Sequence, residues 1–559
     1  IITASAGTSN VRVGVNAGNS ITSGGNYNVT VGDEAGTALT TGDGNVAVGF
    51  DALKTEDANG FNTAIGFEAL KTLNAGADAG NTAVGYQAGV DLTTGIQNVI
   101  IGYVAGPDLT DADFNVAVGV GALFNDHKGN KSTAIGYNAL ALQDFTTSTD
   151  TFNTVVGFST ASNLTTGLEN TLIGGLVGDA LTDADGNVAV GYVALSADQL
   201  GSKSTAIGRG ALSNQLFTTA TDSHNVAVGY HAGVQVTTGV RQTLIGSLAG
   251  DALTTGDNNT AVGYNSLGAM TVGDRNVAVG VGTLAAANVT TNSDTYNVAV
   301  GFNAGNDVTT GIQNVLIGAR AGDALTASSN NVAVGNLALS ADTLGARSVA
   351  IGSSALATQN FTTATDAYNV AIGYDTGTSI TTGQQNTIIG GLAGDAMTDA
   401  DNNVALGYLS LSANTTGSDS VAIGSAALQK QNPATATDML NTAVGHVSGQ
   451  EVTTGIQNSF VGGFSGNSVT TGGSNVAFGY QSLRDDTLGS FSTALGDRTL
   501  KFQNFTTATD AYNTAVGSSA GLNVTTGVKN TFLGAFAGDA YNTSNNNVAV
   551  GYSALSSDT

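Results

Sequence analysis

Asn225-Val226-Ala227-Val228-Gly229-Tyr230 is the stretch whose reading decides the fold, because variants of it return along the whole chain. Counting each glycine that closes an Asn-x-x-x-Gly or Ser-x-x-x-Gly stretch, with one Gln variant, gives 31 copies from Gly14 to Gly551. Self-similarity at a fixed period points to stacked units, each packing only on its neighbours.

The segment ending at each glycine is β-branched, too short for a helix and bracketed by turn formers, which predicts a strand. Glycine at its end lets the chain turn where a side chain would be penalised. A second, weaker strand is expected in stretches such as Tyr230-His231-Ala232, followed by a polar turn such as Thr237-Thr238-Gly239.

Over residues 1–80 the spacing is irregular; from about residue 81 it settles into three 17-residue steps followed by one 21-residue step. Together they make a 72-residue super-repeat, marked by Gly85, Gly157, Gly229, Gly301, Gly373, Gly445 and Gly517. In the first two coils the fourth residue after the glycine is usually glycine (Gly233, Gly250), with an apolar residue three later (Val236, Leu253). In the last two it is usually leucine (Leu267, Leu284), which suggests that the second turn has moved along the coil. The extra residues of the fourth coil, as in Asn360-Phe361-Thr362-Thr363-Ala364-Thr365-Asp366, are expected to protrude as a loop.

Side chains alternate across a strand. Val226 and Val228 therefore share one face, and Val228 with its equivalents Ile207, Ile245 and Ile351 reads as the core of the coil. The opposite column is also apolar: alanine in most coils, larger in the second (Ile100, Leu172, Leu244, Leu316, Ile388, Phe460, Phe532). Strands apolar on both faces are normally covered on both, so the alanine column is expected to meet another chain in a symmetric assembly. A single solenoid with weakly apolar outer strands is the alternative.

Composition narrows the function. The chain has 559 residues, 78 of them glycine, only two prolines, no cysteine and no tryptophan. Low proline without a three-residue period excludes collagen, and the missing cysteines exclude disulfides and thiolate metal sites. The formal charge of −26, from 42 acidic and 16 basic residues, argues against nucleic acid as a partner. No apolar run approaches the ~20 residues that span a bilayer. The chain starts at Ile1 without methionine and ends within a repeat, so an anchor or tip is expected outside it, and residues 1–559 read as one continuous domain.

Ser348-Val349-Ala350-Ile351-Gly352 and Ser420-Val421-Ala422-Ile423-Gly424 match letter for letter the Ser-Val-Ala-Ile-Gly signature of the YadA-type head of trimeric autotransporter adhesins, which the other copies resemble closely. The same style of repeat is similar to shafts of bacteriophage tail fibres. The resemblance implies a left-handed parallel β-roll with three chains side by side. Coils of that family are shorter than those of this chain, so longer turns are expected here.

Candidate sites divide between bland and chemical readings. The asparagine four before the glycine (Asn187, Asn225, Asn259, Asn297), replaced by serine in the fourth coil (Ser204, Ser348), suits a ladder of stacked side chains. Thr237, Thr254 and Thr271 raise an ice-binding face, but the adjacent Thr238 and Thr255 point elsewhere, so a turn role is expected. Acidic turns such as Asp111-Ala112-Asp113 and Asp183-Ala184-Asp185 suit occasional calcium, yet equivalents read Thr255-Gly256-Asp257 or Ala327-Ser328-Ser329. His127, His224, His231 and His446 occupy unrelated positions, and Tyr86, Tyr192, Tyr230, Tyr264 and Tyr374 read as edge covers rather than sugar platforms. No catalytic, cofactor or metal constellation stands out of the periodic background.

The expectation is therefore an all-β protein: a parallel β-roll or β-solenoid of 17- and 21-residue coils, forming a side-by-side homotrimer. At about 4.8 Å per coil it would be a rod roughly 150 Å long. Its expected role is the shaft or head of an extracellular fibre on a cell or virion surface, without enzymatic activity or cofactor. It would support attachment to a surface glycan or host receptor. The alternatives are a phage tail-fibre shaft and a glycan-binding solenoid acting through its repeated loops.

Overall fold

The computed structural model describes residues 6–557. All regular structure among them is β, and within each compact unit the main-sheet strands pair parallel and in register: Val226 lies beside Thr243, Ala227 beside Leu244 and Val228 beside Ile245. The chain is a parallel β-solenoid built on a 17-residue coil, the separation at which Gln242 N–H meets Asn225 Oδ1 of the coil before it.

Two compact units are present, residues up to 276 with 289–294, and residues 277–288 with 295 onward. The first contains fifteen three-residue strands in its main sheet, from Val11–Val13 to Thr260–Val262; the second contains sixteen, from Val277–Val279 to Val548–Val550. Each unit also has three two-residue parallel ladders formed by the 21-residue coils, such as Gly129–Asn130 with Thr149–Asp150 in the first and Gly345–Ala346 with Thr365–Asp366 in the second.

Apart from these short ladders, the described residues form one strand per coil. The expected second strand at Tyr230-His231-Ala232 is a turn. His231 takes a left-handed φ of 54°, and the turns stack instead through bonds such as Leu248 N–H to Tyr230 O (2.9 Å) and Gly233 N–H to Ala249 O (2.9 Å). The turn has not moved in the leucine coils either. Gly233 (φ 58°) and Gly250 (φ 55°) share their left-handed conformation with Leu267 (φ 51°) and Leu284 (φ 49°). Left-handed leucine costs about 1–2 kcal/mol, which burying the side chain, worth about 1.5–3 kcal/mol, offsets.

The faces of the strand are the reverse of the expectation. Ala227 and the bulky residues Ile100, Leu172, Leu244, Leu316, Ile388, Phe460 and Phe532 are fully buried within the single chain. Val226 and Val228 are half-buried on the outside, and Ile207, Ile245 and Ile351 are 37 %, 40 % and 36 % exposed. Alternation separates two faces but does not say which is inner. The coil is so thin that the turn residues Val236, Leu253, Leu267 and Leu284, all buried, already fill it and leave room for little more than alanine.

The larger second-coil residue fits because glycine faces it. A Cβ on Gly250 would stand 2.8 Å from Leu244 Cδ2, and one on Gly233 would stand 2.6 Å from Leu244 Cδ1. Volume is thus exchanged between strand and turn so that density stays constant along the stack. The glycine that closes each strand is needed for another reason. At Gly229 (φ 144°) a Cβ would collide with the carbonyl of Gly246 in the next coil.

Candidate functional site

The concentration of chemistry lies where each 21-residue coil stacks on the coil before it. Seven residues after the repeat glycine, the third coil carries Asp126, Asp198, Asp342 or Asp486, and the fourth carries Gln143, Gln215, Gln359 or Gln503. All eight side chains are fully buried. In each set the glutamine Nε2 donates to the aspartate Oδ2 at 2.6 Å. The same Nε2 donates to a buried serine Oγ, Ser132, Ser204, Ser348 or Ser492, at 2.8–3.1 Å.

The remaining lone pairs are also used. Asp342 Oδ1 accepts from Gly345 N–H at 2.9 Å and from Phe361 N–H at 3.2 Å, which ties the start of the long insertion to the coil below. Gln359 Oε1 accepts from Asn369 Nδ2 at 2.9 Å, and Asn369 belongs to the asparagine ladder. Burial pushes the pKa of these carboxyls above the usual range, partly countered by the hydrogen bonds they accept.

The two other long coils lack the carboxylate. In one, Met270, Ala287, Asn276 and Val289 replace the aspartate, glutamine, serine and phenylalanine. In the other, Asn414 replaces the aspartate and turns onto Gly417, with Nδ2 2.7 Å from its carbonyl O. Gln431, Ser420 and Asn441 remain, with Gln431 Nε2 2.9 Å and Oε1 3.3 Å from Ser420 Oγ. Of these positions only the serines are singled out by sequence, Ser204 and Ser348 as members of the ladder column. Their recurrence at the 72-residue period, broken as a set at Met270, is the signal that marks them.

The asparagines form the expected ladder. Asn225 Nδ2 donates to Gly239 O at 2.8 Å while its Oδ1 accepts Gln242 N–H at 2.9 Å, and the side chain is fully buried. Thr237 Oγ1 donates to Thr254 O (3.2 Å) and Thr254 Oγ1 to Thr271 O (2.9 Å), so both hydroxyls serve the stack. The acidic turns cap the preceding coil: Asp113 Oδ1 accepts Ile96 N–H at 2.8 Å, Asp185 Oδ1 accepts Leu168 N–H at 2.8 Å, and Ser329 Oγ accepts Ile312 N–H at 3.1 Å in the same place. Among the described residues no group of three or more His, Asp or Glu side chains converges as a metal site.

The histidines are scattered. His127 Nδ1 lies 2.8 Å from Asp144, which raises its pKa; His231 stacks on Tyr230 at 4.0 Å, and His446 meets Phe464 edge-on. The exposed rings after the glycine stack on one another, Phe50, Phe67, Tyr86 and Tyr103 with centroids 5.2–5.3 Å apart, so their inner faces are occupied by neighbouring rings. Outside the stack the exposed tips of most long loops are rich in threonine, as in Thr218-Thr219-Ala220.

No helix among the described residues is long and apolar enough to cross a membrane. No family model matches the sequence, and neither does any curated protein.

Proposed function

We propose that the chain is the structural shaft or head of an extracellular homotrimeric fibre that supports attachment to a surface. The observation that carries this reading is the outer strand face. From Val11–Val13 to Val548–Val550 its two columns hold only Val, Thr or Ser at the first position and Val, Ile, Leu or Phe at the third. A chain of net charge −26 keeps this face free of charge on every coil.

Each coil offers a strip about 10 Å wide and about 4.8 Å deep, so fifteen coils of one unit present roughly 700 Å². A standard interface takes about 800 Å² from each partner, and a second unit offers as much again. Like copies are the partners such a self-similar face suits, and cyclic closure sets the number. The acidic remainder of the surface would keep assembled fibres apart.

Light scattering on the purified chain over a dilution series tests the reading. A mass near three times 55.3 kDa is expected. A monomer that persists at high concentration would overturn it. Phage tail-fibre shafts would share this construction. A second reading, multivalent glycan binding, is favoured by the exposed threonine-rich loop tips; a glycan array on which shortened loops lose binding would select it.

A further inference from the structure

We propose that four of the buried sets close an intramolecular ester between serine and glutamine of one coil: Ser132 with Gln143, Ser204 with Gln215, Ser348 with Gln359, and Ser492 with Gln503. Each set gathers four groups that acyl transfer uses: a nucleophile, an acyl group, a carboxylate on the leaving nitrogen and a donor on the carbonyl oxygen.

In the first set Gln143 Nε2 donates to Ser132 Oγ at 2.9 Å, and Oγ also lies 2.6 Å from Thr151 Oγ1, so the hydroxyl is held beside the amide whose carbon it attacks. Ser132 Oγ attacks Cδ of Gln143 and an Oγ–Cδ bond forms. In the tetrahedral adduct Nε2 is no longer conjugated and takes the hydroxyl proton, the Cδ–Nε2 bond breaks, and ammonia leaves. Nothing is oxidised or reduced, and no co-reactant is consumed.

Asp126 Oδ2, 2.6 Å from Nε2, stabilises the positive charge that builds on the departing nitrogen. Asn153 Nδ2, 2.9 Å from Oε1, donates to the oxyanion of the tetrahedral intermediate. Asn153 is itself held by its bond to Gly167 O at 2.8 Å, so this donor is fixed before the reaction. All four side chains are fully buried, which excludes water as the competing nucleophile and holds the reactants 11 residues apart in sequence but in contact in space.

The chain carries its own controls. Ser420, Gln431 and Asn441 repeat the arrangement without the carboxylate, because Asn414 faces Gly417 instead. Asn276, Ala287 and Met270 lack nucleophile, acyl group and carboxylate together.

Intact-mass spectrometry of the purified full chain, with peptide mapping, decides the matter. Each ester lowers the mass by about 17 Da through loss of ammonia, so about 68 Da is expected for four. The Ser132 and Gln143 peptides should be recovered joined, and the Ser420 and Gln431 peptides separate. D342N, checked for folding by circular dichroism, should slow closure at Ser348 by about 100-fold without affecting the other three sets. A chain with its full sequence mass, or one in which Gln143 is merely hydrolysed to glutamate, would overturn the proposal whatever the variants do. A link at Ser420–Gln431 equal in extent to the others would overturn the role given to the carboxylate.

Discussion

Pro433 stands at the position from which Phe361 donates its backbone N–H to Asp342, and in the same coil pair Asn414 stands where the aspartate would be and bonds Gly417 instead. A residue without an N–H thus accompanies a side chain that no longer needs one. The pairing predicts that Asp342→Asn alone is poorly tolerated. The new amide N–H would meet Gln359 Nε2 donor to donor, and the expected loss is about 1–3 kcal/mol in denaturant unfolding. Combining Asp342→Asn with Phe361→Pro should cost less than the sum of the two single changes.

The four buried carboxyls carry a pH signature. Burial raises their folded pKa above the unfolded value, so protonation favours the folded state. Their contribution is fully present below the unfolded pKa and is lost as pH rises through the raised one. Unfolding free energy measured from about pH 3 to pH 7 should therefore carry a falling component. Replacing all four by asparagine should remove that component.

Packing at the strand–turn boundary predicts a second cycle. Gly538 has φ 60°, and a Cβ there would enter the ring of Phe532. Gly538→Ala is expected to cost about 2–4 kcal/mol from strain and overpacking together. Phe532→Ala in the same chain should recover the overpacking share and leave the strain, a coupling that double-mutant thermal unfolding measures.

The asparagine ladder predicts a loss that comes from buried hydrogen bonds rather than from packing. Asn225→Ala leaves the Gly239 carbonyl, Gln215 Oε1 and the Gln242 N–H without their buried partner. A loss of about 2–4 kcal/mol is expected, with hydrogen exchange rising first in the coils next to residue 225.

The trimer proposed above predicts the opposite behaviour, loss of mass without loss of fold. Ile245→Lys and Ile317→Lys place a cation on the outer face of each unit, where the native side chains are 40 % and 38 % exposed. Circular dichroism should be unchanged, while light scattering should shift from trimer toward monomer. A mass unaffected by both would move the interface elsewhere.

How much of this is legible in the residues follows from what periodicity measures. The 17-, 21- and 72-residue spacings report turns and parallel stacking, and they lead to the solenoid, to the asparagine ladder and to buried Val236, Leu253, Leu267 and Leu284. Alternation at Val226-Ala227-Val228 reports two faces without a sign, so the inner and outer columns come out interchanged. Leu267 reads as a shifted turn because left-handed leucine is rare, and only stacking that buries its side chain makes that conformation tolerable. The Asp–Gln–Ser sets escape a linear reading because polar residues beside a turn look solvated until two successive coils are laid over one another.

One consequence of the 72-residue register concerns heredity rather than folding. Residues separated by one super-repeat meet equivalent neighbours above and below, so a gene that gained or lost a whole block by unequal recombination would encode a chain with no new junction. Removing a single 17-residue coil would instead set Leu244-type side chains against the wrong turns. Length variation among natural copies is expected to come in steps of four coils.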